Sequence, residues 1–164
     1  MRKGFEKFLI VLIRISMGWL FLWTFLDKTW GLGFSTQSGE GWIDGVSPTR
    51  SFLLSETTES PLAEVFIVLA DQTWTDWLFM MGLAFVGLAL ILGVMIRLAG
   101  TIGALMSFLI FLAVIPPVEN PIITYHIVFI FVFLFLAAVP CGEWFGLGKK
   151  WNNTRLIKGF PFLK

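Results

Sequence analysis

Residues 23–36 read WTFLDKTWGLGFST, and they end an apolar run that begins near Phe8. From residue 8 to residue 28 the run would form about 31 Å of helix, which matches the hydrocarbon thickness of a bilayer. Its last turns carry an adjacent acid and base, Asp27 and Lys28. Because unpaired charges are costly at the edge of a hydrocarbon layer, we expect this pair either to face partners inside the protein or to reach water.

The composition extends this interpretation to the whole chain. Of 164 residues, 57% are hydrophobic and 14% are charged, and the mean hydropathy is +0.83. These values exclude an ordinary soluble domain and predict an integral membrane protein of a single domain. The single cysteine, Cys141, excludes an internal disulfide, and the single histidine excludes a His-rich metal site. We therefore expect no metal cofactor.

Four membrane spans are predicted from the apolar runs, at about residues 8–28, 77–96, 98–115 and 121–140. The second and third runs are separated only by Arg97, and one continuous helix over both would be about 58 Å long. We therefore expect a tight reversal around Arg97. The predicted fold class is all-α, an integral membrane four-helix bundle in which glycine and alanine allow close helix packing.

The first span resembles a signal peptide in its basic flank, Arg2, Lys3 and Lys7, but its apolar core is too long. No small-residue cleavage site follows it, so we expect a retained signal anchor. Arg14 lies about two turns inside Lys7. A long basic side chain there is expected to snorkel to the cytoplasmic surface rather than pair within the bundle.

A long connection, residues 29–76, follows the first span and is rich in Gly, Ser, Thr and acidic residues. Connections of this length usually have a function and packed elements of their own. Aromatic residues along it favour contact with the helices or the lipid interface, so we expect a lid. Residues 61–71 have apolar positions at helical spacing, which predicts a short helix that rests at the membrane surface.

The charged residues orient the chain. With four spans, both termini and the turn at Arg97 share one side, which collects most of the basic residues. The opposite side has Lys28 and Arg50 as its bases and carries most of the acids. By the positive-inside rule, we expect a multi-pass protein of the cell membrane with both termini and the tail, residues 141–164, in the cytoplasm and residues 29–76 outside.

This topology brings scattered polar residues to the level of the outer leaflet: Asp27, Lys28, Glu119, Asn120, Tyr125 and His126. An acid, an imidazole and aromatic rings at one depth could protonate and hold the flat head group of a redox lipid. The structural alternative is a salt bridge, Lys28 with Glu119 or Asp27 with His126, that only joins the first helix to the fourth.

Several motifs, taken in order, are similar to those of the DoxX/DoxD group of small four-helix membrane proteins. They are Arg14-x-x-x-Gly18 followed by Trp23 and Asp27-Lys28, Gly31-Leu32-Gly33-Phe34, Trp42-x-x-Gly45-x-Ser47-Pro48-Thr49, Phe52-Leu53, Gly93-x-x-x-Arg97-x-Ala99 and Asn120-Pro121-x-x-x-x-His126. The resemblance covers nearly the whole chain. It implies a four-helix bundle and, for DoxD members, a membrane subunit of thiosulfate:quinone oxidoreductase.

Two functions follow as hypotheses. In the first, the chain is the membrane subunit of a quinone-linked oxidoreductase that oxidises thiosulfate or another small reduced sulfur donor. Protons would be handled by Asp27, His126 and Glu119. The residues that bind the quinone ring would be Trp23, Trp30, Trp42 and Tyr125. The anionic donor would be attracted by Lys28 or Arg50.

In the second hypothesis, the chain is a non-catalytic scaffold or assembly factor whose acidic outer loop docks a partner. The excess of acids on that loop disfavours attraction of a free anion. Expected partners are membrane lipid, a second oxidoreductase subunit and a further copy of the chain, with no nucleic acid. A transporter would need oligomerisation to form a pathway.

Overall fold

The computed structural model describes residues 2–55, 57, 60–117, 120, 123–154 and 157. These residues form α-helices and two short 3-10 helices, at Trp42–Asp44 and Cys141–Glu143, and contain no strand. The all-α prediction is therefore confirmed for the described part of the chain. The α-helices are α1 Arg2–Trp30, α2 Arg50–Ser55, α3 Ala63–Ala70, α4 Thr73–Leu92, α5 Ile96–Ala113, α6 Tyr125–Ala138 and α7 Gly148–Asn152.

In the part of the chain that the structure describes, three helices are long and apolar enough to cross a membrane, over Lys3–Trp30, Thr73–Leu92 and Ile96–Ala113. Their surfaces carry many exposed apolar side chains, such as Trp19 and Leu78, as expected for helices in contact with lipid. Helix α6 is also apolar but has 14 residues, or about 21 Å of helix. The membrane class follows from these helices, whereas the fourth crossing stays a prediction.

The long helices pack through glycines, as the sequence predicts. A Cβ atom on Gly87 of α4 would lie 2.7 Å from the backbone nitrogen of Leu22 in α1. On α5, a Cβ atom at Gly103 would lie 2.6 Å from the ring of Phe133 in α6. Only glycine permits such close approach of two helices. Helix α1 therefore packs on α4, α4 on α5, and α5 on α6.

The reversal between α4 and α5 lies at residues 93–95, not around Arg97 as predicted. Gly93 and Met95 both adopt left-handed backbone conformations, with φ of 75° and 51°. The backbone N–H groups of residues 93 and 94 donate to the carbonyl of Ala89 at 2.9 and 3.0 Å. A glycine that caps the helix therefore sets the turn, and Arg97 lies in the first turn of α5.

Arg14 is buried with 1% of its surface exposed, so the predicted snorkelling is wrong. Its Nη1 donates to the carbonyl oxygen of Cys141 at 2.8 Å, and its Nη2 donates to that of Phe145 at 2.5 Å. Both carbonyls belong to the chain just after α6, where regular helix has ended and carbonyl oxygens need other donors. The guanidinium therefore ties α1 to that segment.

The same end of the molecule gathers three parts of the chain. The Lys7 ammonium lies 5.3 Å from the centre of the Trp144 ring, and the backbone N–H of Leu147 donates to the carbonyl of Leu92 at 2.8 Å. The start of α1, the α4–α5 turn and the segment after α6 are therefore neighbours. This arrangement means that α6 runs back toward the end where α1 begins.

The predicted lid packs on the opposite end of the bundle. Helices α2 and α3 bury Leu53, Phe66 and Ala70 against Ala113 at the end of α5. The Ser60 hydroxyl donates to the carbonyl of Leu112 at 2.9 Å. Helix α3 falls within the predicted helix of residues 61–71, which is therefore confirmed. Its buried side chains pack on the bundle, and its predicted place at the membrane surface stays a prediction.

Candidate functional site

A cavity of about 410 Å³ lies between the lid and the long helices. This volume is within the range of sites that bury small organic ligands. Apolar and aromatic side chains form most of the wall, and the polar side chains in it belong to Lys28, Thr49 and Thr75. The other lining residues are Pro48, Phe52, Leu53, Phe66, Leu69, Trp74, Leu78, Phe79, Met106, Leu109, Ile110 and Ala113.

Lys28, one of the residues selected from the sequence, lines this cavity at the end of α1. Its side chain is half-buried. Lys28 makes no hydrogen bond or ion pair with any residue in the part of the chain that the structure describes. An ammonium group has three donors and no acceptor. The cavity is almost wholly apolar with Lys28 among its lining residues, and its volume and apolar character suit the apolar part of a small organic ligand.

Asp27 is buried and holds the turn that follows α1. Its Oδ2 accepts hydrogen bonds from the backbone N–H groups of Ser35 and Thr36, both at 2.9 Å, and from the Ser35 hydroxyl at 2.6 Å. Its Oδ1 accepts from the backbone N–H of Phe34 at 3.3 Å. Four donors around one carboxylate compensate its burial. The structure thus gives Asp27 a role in positioning the turn.

Asp76 is a second buried carboxylate that positions a segment of the chain, in this case the lid. It was not predicted from the sequence. It is buried in the first turn of α4. Its Oδ1 accepts hydrogen bonds from the hydroxyls of Ser47 at 2.7 Å and Thr49 at 2.6 Å. The segment that leads into α2 is therefore fixed to α4, and Thr49 is held in the cavity wall. The Ser47-Pro48-Thr49 motif was a signal that a partner for these hydroxyls exists.

The predicted tryptophans are absent from the wall of the cavity. Trp23 packs edge-to-face on Phe34, with ring centres 5.1 Å apart. Trp42 packs on Trp77 in the same way at 4.6 Å, and Trp30 is 49% exposed. The Trp23 and Trp42 rings therefore join residues 29–76 to the long helices.

Three further predicted residues also lie outside the cavity wall. Arg50 is at the surface, where its Nη2 lies 3.2 Å from an oxygen of Asp71. Tyr125 and His126 begin α6, with their ring centres 4.0 Å apart, and His126 is buried. Glu119 lies outside the described residues. Of the described residues that were predicted to form one site, Lys28 is the one that lines the cavity.

Comparisons of the chain with protein-family models, with curated proteins and with solved structures give no match. The resemblance to the DoxX/DoxD group therefore stays a prediction from the sequence motifs. Among the described residues there is no group of three His, Cys, Asp or Glu side chains that could hold a metal ion. The cavity beside Lys28 is the candidate functional site.

Proposed function

We propose that this chain is the membrane subunit of a quinone-linked oxidoreductase and that it holds the quinone head beside Lys28. The observation that carries this proposal is the apolar cavity of about 410 Å³ with a lysine in its wall. Lys28 is also among the residues that the sequence selected for binding the cofactor or its donor.

The wall suits a flat ring with an apolar tail. Phe52, Phe66, Trp74 and Phe79 supply aromatic surface, which favours stacked or edge-to-face contact with a ring. The Lys28 ammonium donates to an oxygen of the head and stabilises negative charge on it, an effect that is strong where water is excluded. A bound quinone supplies an acceptor for two electrons and two protons.

The number of membrane crossings is part of the same proposal. The chain would cross the membrane four times, with α6 and its flanking residues as the last span and the lid in the outer leaflet. Electrons would come from thiosulfate or another small reduced sulfur donor, oxidised by a second subunit. Asp27 acts as a positioning residue, because the turn that it holds follows directly after Lys28.

The test is to purify the protein in a mild detergent and to identify the quinone that co-purifies. Lys28→Met keeps the length and apolar stem of the side chain and removes its charge. A hydrogen bond to a charged group contributes about 1.5–3 kcal/mol, so the quinone content should fall about tenfold or more. Donor-linked quinone reduction by the complete complex should fall with it.

The matched control is Arg50→Gln, which removes a cation that the sequence also selected but that lies outside the cavity wall. It should retain the wild-type quinone content. Thermal melts of both variants establish that each is folded. A wild-type protein that carries no quinone, or a folded Lys28→Met variant that carries as much as wild type, contradicts the proposal.

The second candidate is the scaffold, and one observation favours it. Glu40, Asp44 and Glu64 are exposed on the outer connection, which Asp27 and Asp76 fix to the bundle. A preformed acidic surface suits a basic partner better than a free anion. Chemical cross-linking in membranes should then capture one polypeptide, and replacing Glu40 and Asp44 by Gln and Asn should reduce its yield.

A further inference from the structure

The wall of the cavity beside Lys28 reaches the surface of the molecule on one side. Three of its lining residues are exposed, and all three belong to the long helices: Trp74 and Leu78 of α4 and Leu109 of α5. The residues that residues 29–76 contribute to the wall are buried or half-buried, namely Pro48, Thr49, Phe52, Leu53, Phe66, Leu69, Trp74 excepted, and Thr75. The cavity therefore opens beside α4 and α5, and the lid closes it on the other side.

This opening lies at the level of the hydrocarbon layer. Helix α4 has 20 residues, or about 30 Å of helix, which matches the hydrocarbon thickness. It begins at Thr73, so Leu78 lies about 7.5 Å along its axis. Helix α5 ends at Ala113, so Leu109 lies about 6 Å before its end. The opening therefore faces lipid chains near the lid-side boundary of the layer, where tryptophans such as Trp74 are common.

The chemistry of the wall favours an apolar occupant that comes from the lipid. The cavity is almost wholly apolar, and cavities of that kind stay dry because water finds no polar partners in them. An unfilled space also forfeits the dispersion contacts of the side chains around it. A chain that is already dissolved in the bilayer supplies these contacts, and no polar group has to lose water when it enters.

We infer that the cavity takes its ligand sideways from the bilayer and that the apolar chain of a membrane lipid enters between α4 and α5 to lie under the lid. The inference deepens the proposed function and rests on the same cavity, because a quinone bound beside Lys28 would use this opening. It requires neither reduction of the ligand nor a contact with Lys28.

Photochemical labelling tests whether a lipid chain occupies the cavity. The full chain is placed in phosphatidylcholine vesicles that contain hexadecanol with a diazirine in the middle of its chain, and adducts are mapped by mass spectrometry. Phe66 and Phe79 line the cavity, so they should carry adducts. The exposed Phe131 of α6, which is absent from the wall, should be labelled by ordinary lipid contact. Adducts at Phe131 without adducts at Phe66 and Phe79 would overturn the inference.

Matched tryptophan variants test the route. Leu109 and Leu88 are exposed to nearly the same extent, 48% and 47%, but only Leu109 lines the cavity. Leu109→Trp narrows the opening and should lose the adducts at Phe66 and Phe79, whereas Leu88→Trp should keep them. Leu78→Trp, on the other rim, should act as Leu109→Trp does. Thermal melts establish which variants are folded. Adducts kept in both folded rim variants, or lost equally in Leu88→Trp, would contradict lateral entry.

Competition separates this inference from the quinone function. Excess decyl-substituted benzoquinone should displace the alcohol and lower the adducts at Phe66 and Phe79, while those at Phe131 remain. If the benzoquinone leaves all adducts unchanged, the quinone function fails while the lipid-chain inference stands. If quinone co-purifies with wild type and is lost in Lys28→Met, but Phe66 and Phe79 are never labelled, the quinone function stands and this inference fails.

Discussion

Two adjacent residues, Asp27 and Lys28, have different tasks because neighbouring positions on a helix point in different directions. Asp27 faces the turn at residues 34–36 and is saturated with donors. Lys28 is one of the residues that line the cavity under the lid. The acid therefore fixes the backbone that follows α1, while the base has no hydrogen bond or ion pair within the described part of the chain. The two charges are not a simple ion pair.

Asp27→Asn tests this division of roles. The amide keeps the size of the carboxylate but replaces one acceptor oxygen with a donor that opposes the N–H groups of the turn. Since hydrogen bonds to a charged acceptor are stronger than neutral ones, the unfolding free energy should fall by about 3 kcal/mol. Thermal and denaturant melts of the detergent-purified protein measure the change.

The control is Asp44→Asn. The carboxylate of the exposed Asp44 accepts one hydrogen bond, from the backbone N–H of Gly41 at 3.0 Å. It should cost about 1 kcal/mol or less. An Asp27→Asn variant as stable as Asp44→Asn would show that the turn does not depend on the carboxylate, and it would leave Asp27 available for chemistry.

Some single residues of the candidate site could be predicted from the sequence, and others could not. Lys28 could be found because a charge at the end of an apolar helix is conspicuous by itself. Asp76 could not, because the hydroxyls of Ser47 and Thr49 indicate that a partner exists without showing which residue it is, and the contact forms only once the lid has packed. Such long-range contacts leave no local periodicity.

At the scale of helices, glycine contacts determine how closely the long helices approach. Gly87→Ala would place a methyl group 2.7 Å from the backbone nitrogen of Leu22. A helix backbone cannot yield as a flexible side chain does, so α1 and α4 must separate. We expect a loss of about 1–3 kcal/mol in the free energy of unfolding.

Gly4→Ala provides the comparison, because nothing lies within 4 Å of the Cβ atom that it would add. Alanine favours helix over glycine, so this change should be neutral or stabilising by up to about 1 kcal/mol. The melting temperature of Gly87→Ala should therefore fall, while that of Gly4→Ala should rise or stay unchanged. Equal melting temperatures of the two variants would show that the close contact of α1 with α4 does not contribute to stability.

The helices themselves were largely predictable, but their ends were not. Apolar runs place α1, α4, α5 and α6, and the spacing of residues 61–71 predicts α3. The turn was sought at Arg97 because a charge is expected at a membrane boundary, whereas the capping geometry of Gly93 decides its position. Arg14 was expected at the surface because its acceptors, the carbonyls of Cys141 and Phe145, are distant in sequence.

At the scale of the whole molecule, contacts at one end bear on the number of crossings. The start of α1, residues 93–95 and the segment after α6 lie together, and the lid covers the other end of α5. If α1, α4 and α5 cross the membrane, α6 must lead back to the end where α1 begins. Positively charged Lys149 and Lys150 at that end favour the cytoplasmic side.

Labelling with a membrane-impermeant maleimide distinguishes the possible topologies. Ser38 and Asn153 are both exposed and lie at opposite ends of the molecule, and Ser38→Cys is nearly isosteric. Native Cys141 is buried, and burial raises the pKa of its thiol, so it should react slowly. Replacing it by serine removes the remaining background.

In intact cells, four crossings with cytoplasmic termini predict labelling of Ser38→Cys and protection of Asn153→Cys until the membrane is permeabilised. Three crossings with the same start would bring both positions outside, because α6 would not return the chain, and both would be labelled. Four crossings in the opposite orientation would label Asn153→Cys alone. Each alternative thus has its own pattern. Labelling of Ser38→Cys in intact cells would place the lid and the cavity beside Lys28 at the outer face, and protection of Asn153→Cys would add the fourth crossing.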